Sequence, residues 1–481
     1  MDDFIIKAAG VLPSERQYVW QQMEFYAFIH FTVNTFTDRE WGYGDEAPAI
    51  FNPPALNADQ WAETCRAAGM KGLILTCKHH DGFCLWPSRF TGHSVKNSPW
   101  KDGKGDVVRE VSDACRRAGL KFGIYISPWD RHEKTYGDSE AYNRYFINQL
   151  TELLTGYGDI FCVWFDGACG EGPNGKRQIY DWEAYYKIIR ELQPQAVISV
   201  CGPDVRWCGN EAGHCRKSEW SVVPRELQDA EKIAGKSQKA DDGEFSKLIN
   251  SMEQDLGSRA AIKNASELIW YPAEVNTSTR PGWFYHSAED HSVKTAEQLL
   301  KVYLNSVGGN SCFLLNIPPD GRGLIHENDV AVLEKLGGTI KKTFCENLAA
   351  KAVATASESL NDAHLPDNIL SENKDSFWRP AAGTEAAELV LTLESEKTFN
   401  IIVLKENISY SGQHVESFTL EVLQNGCWMR VFEGTVIGYK RICCFNKISA
   451  SGIRLKITAS RLFPTIEYLG VFLSEVELSG M

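Results

Sequence analysis

The sequence predicts an α/β protein in which a (β/α)8-type barrel, residues 1–342, is followed by an antiparallel β-sandwich, residues 343–481. Three patterns support this prediction. Short apolar runs recur through the first two thirds of the chain, amphipathic segments separate them, and apolar–polar alternation replaces both patterns after about residue 345. Strand-then-helix repetition indicates a parallel sheet covered by helices, whereas period-two alternation indicates strands with one buried face.

Seven apolar runs are predicted to form the parallel strands of the barrel. Their near-continuous apolar character is typical of strands buried on both faces. Seven or so units over about 340 residues fit an eightfold barrel with one irregular unit, and a doubly wound open sheet is the alternative. The runs are "FYAFIHF" (25–31), "GLILTCKHH" (72–80), "KFGIYIS" (121–127), "IFCVWFD" (160–166), "AVISVCG" (196–202), "ELIWYPAEV" (267–275) and "SCFLLNIPP" (311–319).

The segments between these runs predict helices with recognisable ends. Residues 57–69 begin with an Asn cap and end in Gly, and residues 106–119 begin with Asp and end in the same way. Further helical patterns lie near 139–155, 181–193 and 295–307.

The last third alternates apolar and polar residues, as in "AELVLTLESEKTFNIIVLKENI" and "SGIRLKITAS", with turn residues between the segments. This pattern predicts an antiparallel β-sandwich. We expect the sandwich either to brace the barrel or to bind sugar, with Trp378 and Arg379 as candidates for a binding loop.

The charge and hydropathy of the chain bear on its partners and its compartment. The 481 residues carry a net charge of −13 without a long run of Lys or Arg, which argues against nucleic-acid and anionic-membrane partners. No stretch reaches the ~20 apolar residues of a membrane span, and the first residues do not resemble a signal peptide. A removed signal would leave the same sequence, so the compartment stays open, as does the oligomeric state.

The 14 cysteines are predicted to be reduced thiols, because they form no C-x-x-C pair and several lie inside apolar runs. Cys201, Cys208 and Cys215 recur every seven residues around Glu211. A zinc site there is the less favoured alternative, since this spacing matches no common ligand pattern.

Polar side chains follow five of the predicted strands at the point where each strand ends. In a parallel barrel these ends face one opening, where catalytic groups lie. We therefore expect a functional site there. The strand ends carry His30; His79, His80 and Asp81; Tyr125, Trp129 and Asp130; Trp164 and Asp166; and Glu274, Arg280 and Trp283.

The segment "FCVWFDGACGEGPNG" (161–175) contains the pattern G-x-G-x-x-G. Dinucleotide-binding proteins need its first glycine at the strand tip and a helix that begins within the pattern. Here three residues separate Asp166 from Gly170, and the next helical pattern begins near Asp181. We interpret the glycines as a loop, and no cofactor is predicted.

The adjacent His79 and His80 do not predict a metal site. Neighbours on a strand point to opposite faces, and the sequence has no H-E-x-x-H or H-x-H pattern. Without a metal these side chains can donate to sugar hydroxyls or to a carboxylate. Burial of one ring in the core and exposure of the other is the alternative for each.

Asp166 ends an apolar strand and is followed by a glycine that leaves room for a ligand. A helix cap or a salt bridge is the alternative role. Glycoside hydrolysis uses two carboxyl groups, which lie about 5 Å apart in enzymes that retain the anomeric configuration. Glu211 lies in the loop after the next strand, but spacing alone does not distinguish it from Glu171, Glu219 or Glu274.

Six motifs together resemble the α-L-fucosidases of glycoside hydrolase family 29. They are "FIHFTVNTFTDREWG", "LTCKHHDGFCLWPS", "GIYISPWD", "VWFDGACGEGPNG", "RWCGNEAGHCRKSEWS" and "NTSTRPGWFYH". The tail "FTLEVLQNGCWMRVFEGTVIGYKRI" resembles a discoidin-type (F5/8 type C) sandwich. The resemblance implies a retaining exo-α-L-fucosidase without metal or cofactor, and "GNEAG" followed by "EWS" is similar to the subgroup that acts on α-1,3/1,4-linked fucose in Lewis-type glycans.

The resemblance also implies roles for individual residues. Asp166 would be the nucleophile, which attacks in its ionised form, and Glu211 the acid/base, which is protonated before the reaction. The implied partner is a fucosylated oligosaccharide or glycoconjugate. The implied fucose-binding positions are His30, Glu40, Trp41, His79, His80, Tyr125, Trp164, Arg280 and Trp283.

Two other functions stay open at this point. The protein could be a carbohydrate-binding protein on a barrel without activity, or a glycosidase for another sugar on the same barrel. The presence of both Asp166 and Glu211 argues against the first.

Overall fold

The computed structural model of the protein describes residues 2–172, 174–229 and 255–477. The outer ends of the two predicted domains, residues 1 and 478–481, lie outside this part of the chain.

The first ten strands include a nearly closed parallel barrel, which confirms the predicted fold class. They are β1 Phe25–Ile29, β2 Gly72–Lys78, β3 Lys121–Ile126, β4 Ile160–Phe165, β5 Val197–Val200, β6 Arg206–Trp207, β7 Val222–Pro224, β8 Leu268–Trp270, β9 Ala273–Ser278 and β10 Ser311–Asn316. Eight of them form one sheet in the order β5-β4-β3-β2-β1-β10-β9-β6. A parallel bridge between Ser199 and Val205 connects the two ends of this sheet, so the open-sheet alternative is excluded.

The predicted strand 267–275 is wrong in its placement. Its first part, β8, pairs with β7 outside the barrel, whereas the barrel strand β9 begins at Ala273 and pairs with β10 and β6. Pro272 lies between the two strands and has no N–H to continue a ladder. The sequence did not predict β6, because two residues are too short to form a visible apolar run.

All five predicted helices are present among those of the described residues. The helices are α1 Asp3–Ala9, α2 Glu15–Gln21, α3 Asn34–Thr37, α4 Ala58–Ala67, α5 Val107–Ala118, α6 Ser139–Gly156, α7 Trp182–Leu192, α8 Arg259–Ile262, α9 Ala296–Ser306, α10 Glu327–Phe344 and α11 Ile408–Ser411. Short 3₁₀ turns lie at Pro48–Ile50, Val95–Asn97, Trp100–Gly103, Arg225–Gln228, Ser287–Glu289 and Pro366–Leu370.

The predicted caps explain where two of these helices begin and end. Asn57 Oδ1 accepts a hydrogen bond from Gln60 N at 3.1 Å, and Asp106 Oδ1 accepts one from Arg109 N at 2.9 Å. Helix α5 ends at Gly119, whose φ of 72° is readily adopted by glycine. Helix α4 likewise ends just before Gly69, whose φ is 84°, so both helices start and stop where local chemistry favours it.

The C-terminal part is antiparallel β-structure, as predicted. Its strands are β11 Val353–Ala356, β12 Ala387–Glu406, β13 Val415–Gln424, β14 Cys427–Gly434, β15 Arg441–Ser460 and β16 Ile466–Phe472. The long strand β12 pairs with β11 through its first half and with β16 through its second half, and register shifts separate the halves. Trp378 is completely buried in this core and donates to Glu358 O, so it does not line an exposed binding loop.

The barrel and the C-terminal sheet share a packed seam. Phe344, the last residue of α10, lies 5.2 Å from Phe472 of β16 between ring centroids. Lys440 Nζ donates to both carboxylate oxygens of Glu24, which precedes β1. The division between residues 342 and 343 stays a proposal, since α10 crosses it.

Candidate active site

Asp166 follows β4 directly, at the carboxyl end of the barrel strands. Its Oδ2 accepts a hydrogen bond from Tyr125 Oη at 3.0 Å, and its Oδ1 accepts one from Ala168 N at 2.7 Å. His80 Nε2 lies 3.7 Å from Oδ2, and 24% of the Asp166 side chain is exposed. The carboxylate is thus oriented by neutral donors and still open to a ligand.

The hydrogen bonds of His80 determine which of its two ring nitrogens carries the proton. His80 Nδ1 lies 2.6 Å from Ser127 Oγ, and that hydroxyl donates to Trp129 O at 2.7 Å. Because the Ser127 proton is used, Nδ1 is the donor. Burial lowers the pKa of His80 to about 4, so the ring is neutral and Nε2 can accept from a ligand hydroxyl.

His30, the residue after β1, is oriented in the same way as His80. Its Nδ1 lies 2.8 Å from Asn316 Oδ1, while Asn316 Nδ2 donates to Ser278 Oγ and to Trp283 O. The amide oxygen of Asn316 must therefore accept from His30 Nδ1. Burial lowers the pKa of His30 to about 4, which leaves Nε2 as an acceptor.

His79 differs from His30 and His80 in the hydrogen bonding of its Nδ1. Its Nδ1 has no hydrogen-bond partner within the described residues, and its ring stacks on Tyr125 at 5.6 Å. Burial holds the pKa of His79 well below its usual value. Because buried polar atoms are rarely left without a partner, this nitrogen indicates a place where a ligand can donate or accept.

Aromatic rings line the space between these histidines. Phe28 lies 5.1 Å from Trp164, 5.7 Å from Tyr125 and 6.3 Å from Trp283, measured between ring centroids. Trp41 meets Trp129 edge-on at 5.5 Å. Sequence reasoning missed Phe28, since a phenylalanine inside an apolar strand gives no signal of a site.

Glu274, one of the candidate carboxyl groups, lies beneath the site and not within reach of its opening. The side chain is completely buried; Trp164 Nε1 donates to its Oε1 at 2.7 Å and Tyr26 Oη bonds to its Oε2. Burial raises the pKa of Glu274 to about 7. It therefore supports Trp164 from below.

Glu219 is also removed from the opening. It is completely buried, pairs with Arg206, and lies 3.3 Å from Arg216 Nη1. Glu171 is exposed and lies on the loop that follows Asp166. Neither position resembles that of a carboxyl group held inside a pocket.

Glu211 projects from a loop folded around Asn210. Asn210 Oδ1 accepts from Ala212 N and His214 N, and its Nδ2 donates to His214 O. Trp283 Nε1 donates to Glu211 Oε2 at 3.1 Å. Glu211 and Glu274 thus each contact a tryptophan of the aromatic group, but Glu274 is completely buried, whereas Glu211 is partly exposed.

Glu40 lies at the edge of the site and binds the loop after β9. It accepts hydrogen bonds from Trp283 N at 2.8 Å and from Phe284 N at 3.0 Å. His286 Nε2 lies 2.8 Å from Glu40 Oε1. Glu40 therefore has a positioning function for Trp283 in addition to any contact with a sugar.

The structure does not bring Arg280 into the group. Its side chain is completely buried, its Nε and Nη2 donate to Asp329, and its Nη1 donates to Asp290. All three nitrogens are engaged by partners 10 and 49 residues away in the chain. The family resemblance implies a sugar contact for Arg280, and in the structure its guanidinium is held by Asp329 and Asp290.

The described residues of the glycine pattern after Asp166, 170–172, 174 and 175, lie outside the helices. The strand ends at Phe165 and the next helix begins at Trp182. A Cβ on Gly170 would lie 2.7 Å from the Trp129 ring, so this glycine allows the loop to pack against Trp129. The pattern does not open a helix and lacks the geometry of a dinucleotide site.

Three features are absent from the described residues. These residues contain no group of three or more His, Cys, Asp or Glu side chains arranged to hold a metal ion. No disulfide joins the cysteines, all of which lie in this part of the chain. None of its helices is both long and apolar enough to cross a membrane.

Comparison with known families and proteins assigns both parts of the chain. The α-L-fucosidase family model matches residues 7–343, and the F5/8 type C domain model matches residues 353–466. Alpha-L-fucosidase 1 of Arabidopsis thaliana is 42% identical over 474 residues, which cover 96% of this chain and 88% of the plant protein.

Solved structures give the same result. A glycoside hydrolase 29 family member from an unknown rumen bacterium is 40% identical, with a TM-score of 0.79 over 98% of this chain and 79% of that one. A GH29 fucosidase of Ruminococcus gnavus, solved in complex with fucose, is 31% identical, with a TM-score of 0.83 over 96% of this chain and 95% of that one.

Proposed function

The chain belongs to the α-L-fucosidase family, and we propose that it is a retaining exo-α-L-fucosidase that removes terminal α-1,3/1,4-linked fucose from Lewis-type branches of glycans. The observation that carries this proposal is the setting of Asp166. Its carboxylate is oriented by Tyr125 and a backbone amide and remains partly exposed at the end of a barrel strand.

In the proposed first step, an Asp166 oxygen attacks the anomeric carbon of fucose. The bond from that carbon to the glycosidic oxygen breaks, and Glu211 transfers its proton to the departing oxygen. In the second step Glu211 takes a proton from water, whose oxygen displaces Asp166 from the anomeric carbon. Two inversions give net retention, and Asp166 leaves as a carboxylate.

Recognition of the sugar is assigned to the neutral histidines and the aromatic rings. His30 Nε2 and His80 Nε2 are acceptors for sugar hydroxyls, because their Nδ1 protons are already used. Trp164 and Trp283 offer apolar faces to the methyl group of fucose. One methyl group supplies only ~1–3 kcal/mol of discrimination, so hydroxyl contacts must supply the rest.

Proton NMR of the first-formed product tests the retaining mechanism. With an α-fucoside as substrate, the α-anomer should appear first and then mutarotate. Initial release of the β-anomer would contradict a covalent intermediate on Asp166.

A matched pair of variants tests the acid/base. Glu211→Ala should slow hydrolysis of poor leaving groups most and regain activity with azide, which needs no base to attack the intermediate. Glu171→Ala, at an exposed site on a neighbouring loop, should behave like the wild type. Azide rescue of Glu171→Ala and not of Glu211→Ala would reassign the role.

Defined trisaccharides test the linkage. Hydrolysis of Lewis-type α-1,3- and α-1,4-fucosides should exceed that of an α-1,2-linked fucoside at least tenfold. Equal rates would remove the linkage part of the proposal and leave the fucosidase part intact. A panel of aryl glycosides tests other sugars, of which only the fucoside should be hydrolysed.

A further inference from the structure

His286 lies between two carboxylates at the rim of the site. Its Nδ1 is 2.5 Å from Asp38 Oδ1, and its Nε2 is 2.8 Å from Glu40 Oε1. Since carboxylates only accept hydrogen bonds, both ring nitrogens must carry protons in this arrangement. The hydrogen bond to Glu40, followed by that to Asp38, raises the pKa of His286 to about 9, so the ring is an imidazolium at neutral pH.

The same Glu40 carboxylate holds the backbone of the loop that carries Trp283. Glu40 Oε2 accepts from Trp283 N and Oε1 accepts from Phe284 N. A Cβ on Gly282 would lie 2.4 Å from Glu40 Oε1, so a larger residue there would displace this carboxylate. His286 therefore neutralises the carboxylate that anchors this turn.

Trp283, whose backbone is held by Glu40, also contacts Glu211, the candidate acid/base. Its indole Nε1 donates to Glu211 Oε2 at 3.1 Å, and its carbonyl accepts from Asn316 Nδ2 at 2.8 Å. The position of the residue 283 backbone thus determines where the indole donor meets Glu211.

We propose that His286, as an imidazolium bridging Asp38 and Glu40, is a positioning residue that acts on Glu211 through Glu40 and the Trp283 indole. This inference rests on the proposed acid/base role of Glu211. His286 does not contact Glu211, and its effect is to hold the indole donor where Glu211 can transfer its proton to the departing oxygen.

The test replaces His286 by Gln, which removes the cation, and uses His291→Gln as the control at an exposed position on the same segment. Hydrolysis of a fucosylated trisaccharide, a poor leaving group, should lose about tenfold in kcat, with KM changed less than twofold. Hydrolysis of an aryl fucoside with an acidic phenol should change less than threefold. Asp38→Asn should act in the same direction with a smaller loss.

A double-mutant cycle separates positioning from general damage. If His286 acts through Glu211, adding His286→Gln to Glu211→Ala should cause no further loss on the trisaccharide. Multiplied losses, or equal losses of His286→Gln on both substrates, would overturn the inference. If Glu211→Ala itself shows no dependence on the leaving group, the proposed function of Glu211 fails; if it does and His286→Gln does not, only this inference fails.

Discussion

Carboxylates at the mouth of the barrel and at its seam with the C-terminal sheet have different kinds of partner. At the mouth, Asp166 accepts from the Tyr125 hydroxyl and from a backbone amide, and no Lys or Arg of the described residues lies within salt-bridge distance. At the seam, Glu24 accepts from Lys440 Nζ with both oxygens and lies 3.7 Å from Lys71 Nζ.

The comparison shows that the partners of a carboxylate determine its properties. Burial alone would raise the pKa of Glu24, but Lys440, Lys71 and Lys405 outweigh it and lower the pKa to about 2. A carboxylate bound by cations keeps its charge and is a poor nucleophile, whereas neutral donors orient Asp166 without neutralising it. Glu274 is the third case, since burial among neutral donors raises its pKa to about 7.

The largest expected effect comes from removal of the mouth carboxylate. Asp166→Ala should lower kcat/KM on a fucosylated glycan by at least ~10³-fold, about 4 kcal/mol, because the proposed covalent intermediate forms on this carboxylate. The melting temperature should change little, since the side chain is partly exposed and makes no ion pair with Lys or Arg. A variant that keeps a tenth of the wild-type activity would exclude Asp166 as the nucleophile.

At the seam, we expect a substitution to lower stability and to leave activity unchanged. Lys440→Met should lower the free energy of unfolding by about 3 kcal/mol and leave kcat/KM unchanged, because Glu24 would keep a buried charge with less compensation. Lys447→Met, which breaks an exposed pair with Glu475, is the control and should cost less than ~0.5 kcal/mol.

The pH dependence of the Lys440 variant sharpens this prediction. The pKa of Glu24 is lower in the folded state than its usual value of 4.5. The stabilisation is therefore present above pH 4.5 and is lost as the pH falls through about 2. Urea unfolding at pH 7 and pH 3 should show a smaller difference between wild type and variant at pH 3; an unchanged difference would contradict the ion-pair explanation.

Glu274→Gln tests the carboxyl group that is buried among neutral donors. Because the folded-state pKa of Glu274 is raised to about 7 from 4.5, its stabilisation is present below pH 4.5 and is lost as the pH rises through 7. Gln resembles the protonated form, so the variant should gain stability relative to the wild type as the pH rises, by up to about 3 kcal/mol. Urea unfolding at pH 5 and pH 8 measures this, and a pH-independent difference would contradict it.

The smallest expected effect concerns one neutral donor at the mouth. Tyr125→Phe removes the hydroxyl that donates to Asp166 and keeps the ring that stacks on Trp164 at 5.4 Å. We expect kcat/KM to fall roughly tenfold, the value of one hydrogen bond to a charged group. Steady-state kinetics measures this, and a loss as large as that of Asp166→Ala would mean that the ring position had changed.

Local patterns predicted much of the fold because local chemistry produces it. Apolar runs identified most barrel strands, and Asn57 and Asp106 marked helix starts that the structure confirms with side-chain to backbone hydrogen bonds. The runs failed at residues 267–275, where one apolar segment crosses from the small sheet into the barrel at Pro272. Which strands pair depends on residues far apart in the chain, and an apolar run carries no information about its partner strand.

In the candidate site, too, the sequence identified one residue, whereas the surroundings of the others depend on the tertiary structure. From the sequence alone, Asp166 was recognisable, since an ionisable residue at the end of an apolar strand is costly unless it is used. Tertiary structure separates the candidate glutamates and supports the proposal of Glu211: Glu219 is paired with arginines, Glu274 is buried and bonded to Trp164, and Glu211 contacts Trp283. The physical reason is that burial and ion pairing depend on groups far apart in the chain, so spacing along the sequence cannot distinguish these carboxyl groups.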